Sequence, residues 1–357
     1  MNFSNHFPVL DSYTYLNTAN TGILSQQLSQ WRVNHEKEYL KTGSYFHQNR
    51  GEFLTKGRNM LAEFFNCSPT HTFLIPNFSY GFNTLLRGFD KQERFLLLKN
   101  DYPSISYPVR SLGYVFHEME INENLEQNIL TGVEQHKPTV LALSLVQYSD
   151  GIKVDLNFIR QLKQDNPELL IIADGTQLCG TLPFDFLSSG IDVLISSGHK
   201  WMLAGYGNGF LLVSERATHR IFNDQKKFEL PSEGFLKGRN ALSLMFEPGH
   251  LDTLNFGTLF NSVIHLNNQG MENINSKINS LALSAKNEFM KRNLLSDSVS
   301  LRKDHSSIFS LSLSGKIISD LQQSNVVFTS RNGAARVSFH YYNSETDLSK
   351  LLQIIDG

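Results

Sequence analysis

Residues 169–210, LLIIADGTQLCGTLPFDFLSSGIDVLISSGHKWMLAGYGNGF, narrow most sharply what this chain can fold into. They contain two apolar runs, 169–173 and 191–196, with the length and β-branched content of buried strands. The first run delivers Asp174 and then Gln177. The second delivers Ser197, His199 and Lys200 in a turn punctuated by glycine. Between them, 181–190 supplies chain for the crossover that parallel neighbours require. Functional groups in such a sheet gather beyond the carboxyl ends of the strands. The expectation is therefore an α/β fold in which the carboxylate and the amine meet in one crevice.

A lysine desolvated at a strand end forms Schiff bases with carbonyls. An aspartate opposite it keeps a pyridine nitrogen protonated, which makes the ring an electron sink. DGTQ at 174–177 followed by SSGHKW at 196–201 resembles the cofactor-binding signature of the class V, cysteine desulfurase-like family of pyridoxal-phosphate enzymes of fold type I. The resemblance implies pyridoxal 5'-phosphate as cofactor. It also implies a large domain over 15–255, with a mostly parallel seven-stranded sheet between helices. A smaller α+β domain would cover 256–357, with 1–14 packing near it.

The 357 residues are 40% hydrophobic and 18% charged with a formal net charge of −2, which suits a large core and offers no basic surface for nucleic acid or membrane. Two cysteines, Cys67 and Cys179, make no disulfide framework, as in a reducing interior. The opening MNFSNHFPVLDSY has neither a basic n-region nor an apolar h-region, so no signal peptide is expected. No apolar run approaches the ~20 residues of a membrane span. A cytoplasmic protein without a metal site is the expectation.

Further segments carry the resemblance along the chain. TFLIPNFSYG (72–81) reads as a strand, a Pro/Asn turn and a helix start, where backbone amides and the Ser79 hydroxyl can converge on an anion. It resembles the family's first phosphate-binding turn, with Ser79 and Tyr80 facing the cofactor. After the strand RFLLL (94–98), KNDYPSISYP (99–108) resembles the segment that stacks a side chain on the pyridine ring, for which Tyr102 and Tyr107 compete. The strand 139–145 runs into VQYSDG (146–151), which resembles the segment placing a side chain near the phenolic oxygen, here Gln147 or Tyr148. Near the amino terminus, 13–16 reads as a short strand entering a polar turn, with Asn17 and Asn20 as turn residues or substrate contacts. Residues 41–50 read as a loop.

Downstream of Lys200, GYGNG (205–209) makes a tight turn into an antiparallel strand, 210–214. Its spacing is not that of a dinucleotide fingerprint. Residues 217–250 read as loops and short helices bordering the active site. NFGTL (255–259) resembles the segment whose Gly–Thr pair reaches the phosphate of the neighbouring subunit's cofactor, which implies Thr258 in that role and a homodimer. Arg336, within SRNGAARVSFHYYN (330–343), resembles the small-domain arginine that grips the substrate α-carboxylate, with Arg331 as the alternative.

Carried over by position, the resemblance assigns Lys200 the covalent link and the general-base role. Asp174 would pair with the ring nitrogen, and Gln177 with the phenolic oxygen. Ser79, Ser197, His199 and Thr258 would hold the phosphate. The implied activity is that of a pyridoxal-phosphate enzyme acting on an α-amino acid through an external aldimine, most simply an aminotransferase. The alternatives are a lyase of desulfurase, selenocysteine lyase or kynureninase type, an epimerase, or a non-catalytic protein that kept the cofactor. Cysteine desulfurases of the family carry a nucleophilic cysteine shortly before the small-domain arginine. This chain has no cysteine after Cys179.

Overall fold

The computed structural model describes residues 5–236, 238–331 and 333–357, with Phe235 described by its backbone alone. Residues 1–4, Lys237 and Asn332, which belong to segments read above, lie outside the described residues. The strands in chain order are β1 (Thr14–Tyr15), β2 (Thr72–Ile75), β3 (Arg94–Leu98), β4 (Val115–Met119), β5 (Val140–Ser144) and β6 (Leu170–Asp174). They continue with β7 (Val193–Ser197), β8 (Gly209–Val213), β9 (Ile308–Ser312), β10 (Val326–Val327), β11 (Thr329–Arg331) and β12 (Ala334–Ser338).

β2 to β8 form a seven-stranded sheet in the order β2-β8-β7-β6-β5-β3-β4. β8 pairs antiparallel with both of its neighbours, and the other pairs are parallel. The strands β5 to β8 are buried along their whole length. That is why they read as continuous apolar runs rather than alternating ones. One apolar core lies on each face: Leu96, Leu141, Ile171 and Leu194 on one, Phe95, Val140, Ile172 and Ile195 on the other. This is the mostly parallel α/β arrangement that the sequence pattern implies.

A second sheet, β11-β12-β9, is antiparallel and has its own core with Leu281, Phe289, Phe309 and Leu321. The amino-terminal segment crosses between the two sheets. β1 pairs in parallel with β10, and Leu16 packs into the smaller core. The helix Thr253–Gln269 spans the expected division at 255/256 without a break. A buried ion pair joins the two parts, with Arg302 bonded to both Glu126 carboxylate oxygens and to the Glu123 and Lys153 carbonyls.

Two segments depart from the sequence reading. Residues 41–50 are not a plain loop: the helix Gln26–Thr42 runs into a 3-10 turn, Gly43–His47. The stretch after β3 holds a helix, Pro103–Ser111, that the two prolines conceal. Pro103 sits in its first turn, where the missing N–H has no intrahelical partner to lose. Among the described residues no helix is long and apolar enough to cross a membrane.

Candidate active site

The chain leaving the carboxyl ends of β2, β3, β5, β6 and β7 converges on a cleft of about 320 Å3. Register makes this possible. Ser144 pairs with Asp174 and Asp174 with Ile195, so the three central strands end at the same level. Asp174 lies on the floor and Lys200 on the wall. Each feels the other's charge, yet among the described residues they form no ion pair.

Burial sets the electrostatics of both groups. It pushes the Asp174 carboxyl up to about 6, against the Thr176 hydroxyl and amide and the Lys200 charge, while Asp101 adds to the rise. The Thr176 amide donates to Asp174 Oδ1 at 2.8 Å. Burial also brings the Lys200 amine down to about 8, against the attraction of Asp174 and with the help of the Arg336 and Arg331 charges. An amine lowered that far is partly neutral near neutral pH, the form that attacks a carbonyl carbon.

The phosphate-type end of the cleft is built at the start of the helix Phe78–Leu86. Asn77 caps it by accepting the Tyr80 amide at 2.9 Å, and Ser197 Oγ accepts the Phe78 amide at 2.9 Å. Among the described residues this leaves the Ser79 amide as the unclaimed donor of the first turn. Its hydroxyl, 2.8 Å from Ser104 Oγ, faces the same space. His199 stacks on Tyr206 with ring centroids 5.0 Å apart and lines the cleft, held near pKa 4 by burial and by the Lys200 charge.

The loop carrying Lys200 is clamped from both ends of the chain. The Gly22 amide donates to the His199 carbonyl at 2.8 Å, and a Cβ on Gly22 would lie 2.0 Å from the Lys200 carbonyl oxygen. From the other side, His340 stacks between Trp201 and Tyr342 with centroids 5.2 and 5.1 Å away. Its Nδ1 accepts the Tyr341 amide at 2.7 Å, so its Nε2 carries the proton and donates to the Trp201 carbonyl at 3.1 Å. Leu203, at the far end of the loop, holds the left-handed conformation with φ of 53°, which a residue with a side chain adopts only under such constraint.

The structure brings most of the expected residues together and sets others apart. Ser79, Tyr102, Asp174, Gln177, Ser197, His199 and Lys200 all line the cleft. Of the two candidates for the ring-facing position, Tyr102 lies 5.9 Å from Lys200 Nζ, whereas Tyr107 is 72% exposed on the outer face of its helix. Of the pair after β5, Tyr148 lines the cleft and Gln147 does not. Gln147 is fully buried, and its side-chain amide donates to the Ser144 carbonyl at 3.5 Å. Tyr80 turns into a separate hollow beside Phe222 and Met245. Asn20 is exposed in the turn between Asn17 and Gly22, next to Ala19, whose carbonyl accepts from Gln177 Nε2 at 2.8 Å. Gln177 Oε1 takes the Trp201 indole N–H at 2.7 Å, which leaves one amide hydrogen for a ligand.

Thr258 lies apart from this cleft within the chain. It sits within the helix Thr253–Gln269 with no exposed surface, donating to the Leu254 carbonyl and accepting from Arg32 Nη1, both at 2.8 Å. The segment 217–250 is also displaced from its expected place: its residues line hollows beside Tyr80 and Arg58 rather than this cleft.

Three contributors were missed. Asp101, buried after β3, accepts the Ser144 amide at 2.8 Å and the Tyr102 amide at 2.6 Å, tying two strand ends together behind Asp174. Its position at the end of a buried strand, directly before Tyr102, was the available signal. Thr176 holds both Asp174 and the Ser197 amide, the latter at 3.1 Å. Tyr206 backs His199 and has no local sequence signal at all.

The donor set can be tested against a planar, anionic, aldehyde-bearing ring. A carboxylate on the floor, an unpaired amine on the wall, an aromatic face at Tyr102 and a helix start with a free amide are the four requirements of such a group. Each is met by a residue of this cleft, so the residues fit.

Comparison with known proteins follows the same line. The family described as aminotransferase class-V matches residues 15–351. An uncharacterized aminotransferase of Bacillus subtilis (strain 168), YcbU, is 19% identical, over 96% of this chain and 93% of its own length. A C-DES mutant with glycine covalently linked to its PLP cofactor superposes with a TM-score of 0.84 at 20% identity, over 99% of both chains. An apo cysteine desulfurase from Thermococcus onnurineus NA1 gives 0.82 at 15% identity, over 99% of this chain and 96% of that one. With the family pattern running through nearly all of its length, the chain belongs to the class-V aminotransferase family.

Proposed function

We propose that the protein is a pyridoxal-phosphate enzyme acting on an α-amino acid, and most simply an aminotransferase. The observation that carries this reading is the meeting of Asp174 and Lys200 across one cleft, each displaced by burial toward its neutral form. When bound, the cofactor would supply a cationic ring that stabilises negative charge at the substrate Cα. The residues of the chain do the rest. Asp174 would lie against the ring nitrogen, where a neighbouring cation would favour its ionised form despite its burial. Ser79, Ser197 and the helix start would hold the phosphate, and the remaining Gln177 hydrogen would be the donor for the phenolic oxygen. Tyr102 covers the ring face. Lys200 Nζ would be the amine placed for the covalent link to the cofactor, and once free it would hold or move the proton at the substrate Cα. Arg336, which is 3% exposed, receives the α-carboxylate.

The large cofactor-binding unit is proposed to span 15–255 and the small unit 256–357, with the amino-terminal residues packing near the small one. A cytoplasmic setting is in keeping with two unpaired cysteines. The cysteines also favour transamination over persulfide chemistry. Cys67 is partly buried, and burial pushes the Cys179 thiol up to about 12, far from a nucleophilic thiolate. A lyase or epimerase outcome on the same cofactor is the second reading, in keeping with a fold shared with cysteine desulfurases.

The test is spectroscopic. Added pyridoxal phosphate gives the native protein a visible absorbance band that survives gel filtration, and Lys200→Ala abolishes it. A band retained by that variant sinks the assignment. Amino acids added singly then separate a stable pyridoxamine form, expected of an aminotransferase, from released pyruvate, ammonia or sulfide.

A further inference from the structure

The β11–β12 hairpin sets two guanidinium groups against Tyr148 at the edge of the cleft, where one α-carboxylate needs a single fork. β11 and β12 pair antiparallel with Thr329 opposite Arg336 and Arg331 opposite Ala334. Side chains alternate along a strand and cross-strand partners share a face, so Arg331 and Arg336 are diagonal neighbours on one face of this hairpin. Both engage Tyr148, which lines the cleft. Arg336 Nη1 donates to the Tyr148 carbonyl, and the Arg331 guanidinium lies 5.3 Å from the centre of the Tyr148 ring. Tyr148 in turn packs edge-on against Tyr102, with centroids 5.4 Å apart, and Tyr102 is the ring nearest Lys200.

Lys200 in the cleft thus feels the charges of both arginines, and Asp174 on the floor is the carboxylate that opposes them there. Among the described residues neither arginine is paired with an acidic side chain. Arg336 is nearly closed off from solvent, and its Nε has no hydrogen-bond partner. A buried donor without an acceptor is costly, and adjacent like charges repel. Both penalties vanish if anions occupy the two sites. Arg331 is exposed at the rim, which places it to meet the far end of a substrate rather than its Cα.

We infer that the substrate carries two carboxylates, an acidic amino acid or the corresponding dicarboxylic oxo acid, with Arg336 on the α-carboxylate and Arg331 on the distal one. This inference rests on the reading of the cleft as an amino-acid site for a pyridoxal-phosphate enzyme, and deepens it. The stacked Tyr148 ring serves as the platform that holds the Arg331 fork in place, since a guanidinium lies flat on an aromatic face while its edge stays free for a carboxylate.

The test compares carboxylates that cannot react. Succinate and glutarate are titrated calorimetrically against butyrate, with the native protein both before and after loading with pyridoxal phosphate. The uptake of the cofactor is recorded separately by absorbance. The dicarboxylates bind at least tenfold more tightly than butyrate, a difference of about 1.4 kcal/mol, and Arg331→Gln brings that ratio close to one. Arg331→Lys, which keeps the charge and loses the fork, gives an intermediate ratio. A native ratio near one, or a ratio unmoved by Arg331→Gln, overturns the inference even if the cofactor binds normally. Failure of cofactor uptake with the ratio intact would instead count against the wider reading and leave two anion sites standing. If Arg331→Gln does not fold, the native ratio and its collapse at high salt decide the matter.

Discussion

Asp174 shows how burial and function oppose one another on a single carboxyl. Its pKa rises from 3.8 to about 6 in the unliganded protein, so between those values the folded chain keeps a proton that the unfolded chain has lost. Stability therefore falls as pH rises through that window, by on the order of 3 kcal/mol from this group alone. Asp174→Asn, in the protein without cofactor, is expected to flatten the decline in melting temperature between pH 4 and pH 6. A profile that the substitution leaves unchanged would place the penalty elsewhere. The same change is expected to weaken hold on a protonated ring, because an amide cannot carry the countercharge. At this scale the sequence was legible where a side chain ends a buried strand beside a recognisable motif, as Asp174 does, though Asp101 after β3 went unread. It was not legible where a side chain's partner is distant in the chain. Gln177 is shared with Ala19 and Trp201, Asp101 is bound to Ser144, and Thr258 is sealed by Arg32. None of those three commitments leaves a trace in the neighbouring residues.

The element that matters most is the loop between β7 and β8, since it carries Lys200 and is itself under constraint at Leu203. It is fixed less by its own sequence than by what presses on it. His340→Phe keeps a flat ring between Trp201 and Tyr342 but removes the donor to the Trp201 carbonyl and the acceptor for the Tyr341 amide. Leaving such buried groups unpaired costs about 1–3 kcal/mol each. The variant should therefore unfold at lower denaturant and load cofactor more slowly, and its tryptophan emission should shift, because Trp201 is one of only two tryptophans in the chain. Equal stability with unaltered emission would show that the ring alone, without its hydrogen bonds, holds the loop. Elements with a clear period or a continuous apolar run were read correctly to within a few residues, β5 to β8 above all. The helix Pro103–Ser111 was missed because a proline in its first turn and another inside it look like chain breakers.

Across the whole molecule, the exposed aromatic and aliphatic side chains of the helix Gln26–Thr42 and the turn after it stand out. Leu40 is 88% exposed and Tyr45 73%, beside a hollow formed by Trp31, Phe46 and Phe53. We propose a homodimer that covers this surface. Sedimentation or light scattering should give twice the 40.5 kDa of one chain, and Leu40→Asp with Tyr45→Asp should shift the mass toward the monomer. A monomeric native protein would remove that proposal. The architecture was legible because the apolar runs of a parallel sheet are local. The crossing of the amino-terminal segment to β10 was not, since two residues of strand carry no pattern. That crossing has a consequence for biosynthesis. The turn before Lys200's loop is made early, the loop midway, and the histidine that steadies it near the end. In a chain still emerging from the ribosome, the loop of Lys200 thus lacks its contact with His340 until residue 340 is free to fold back.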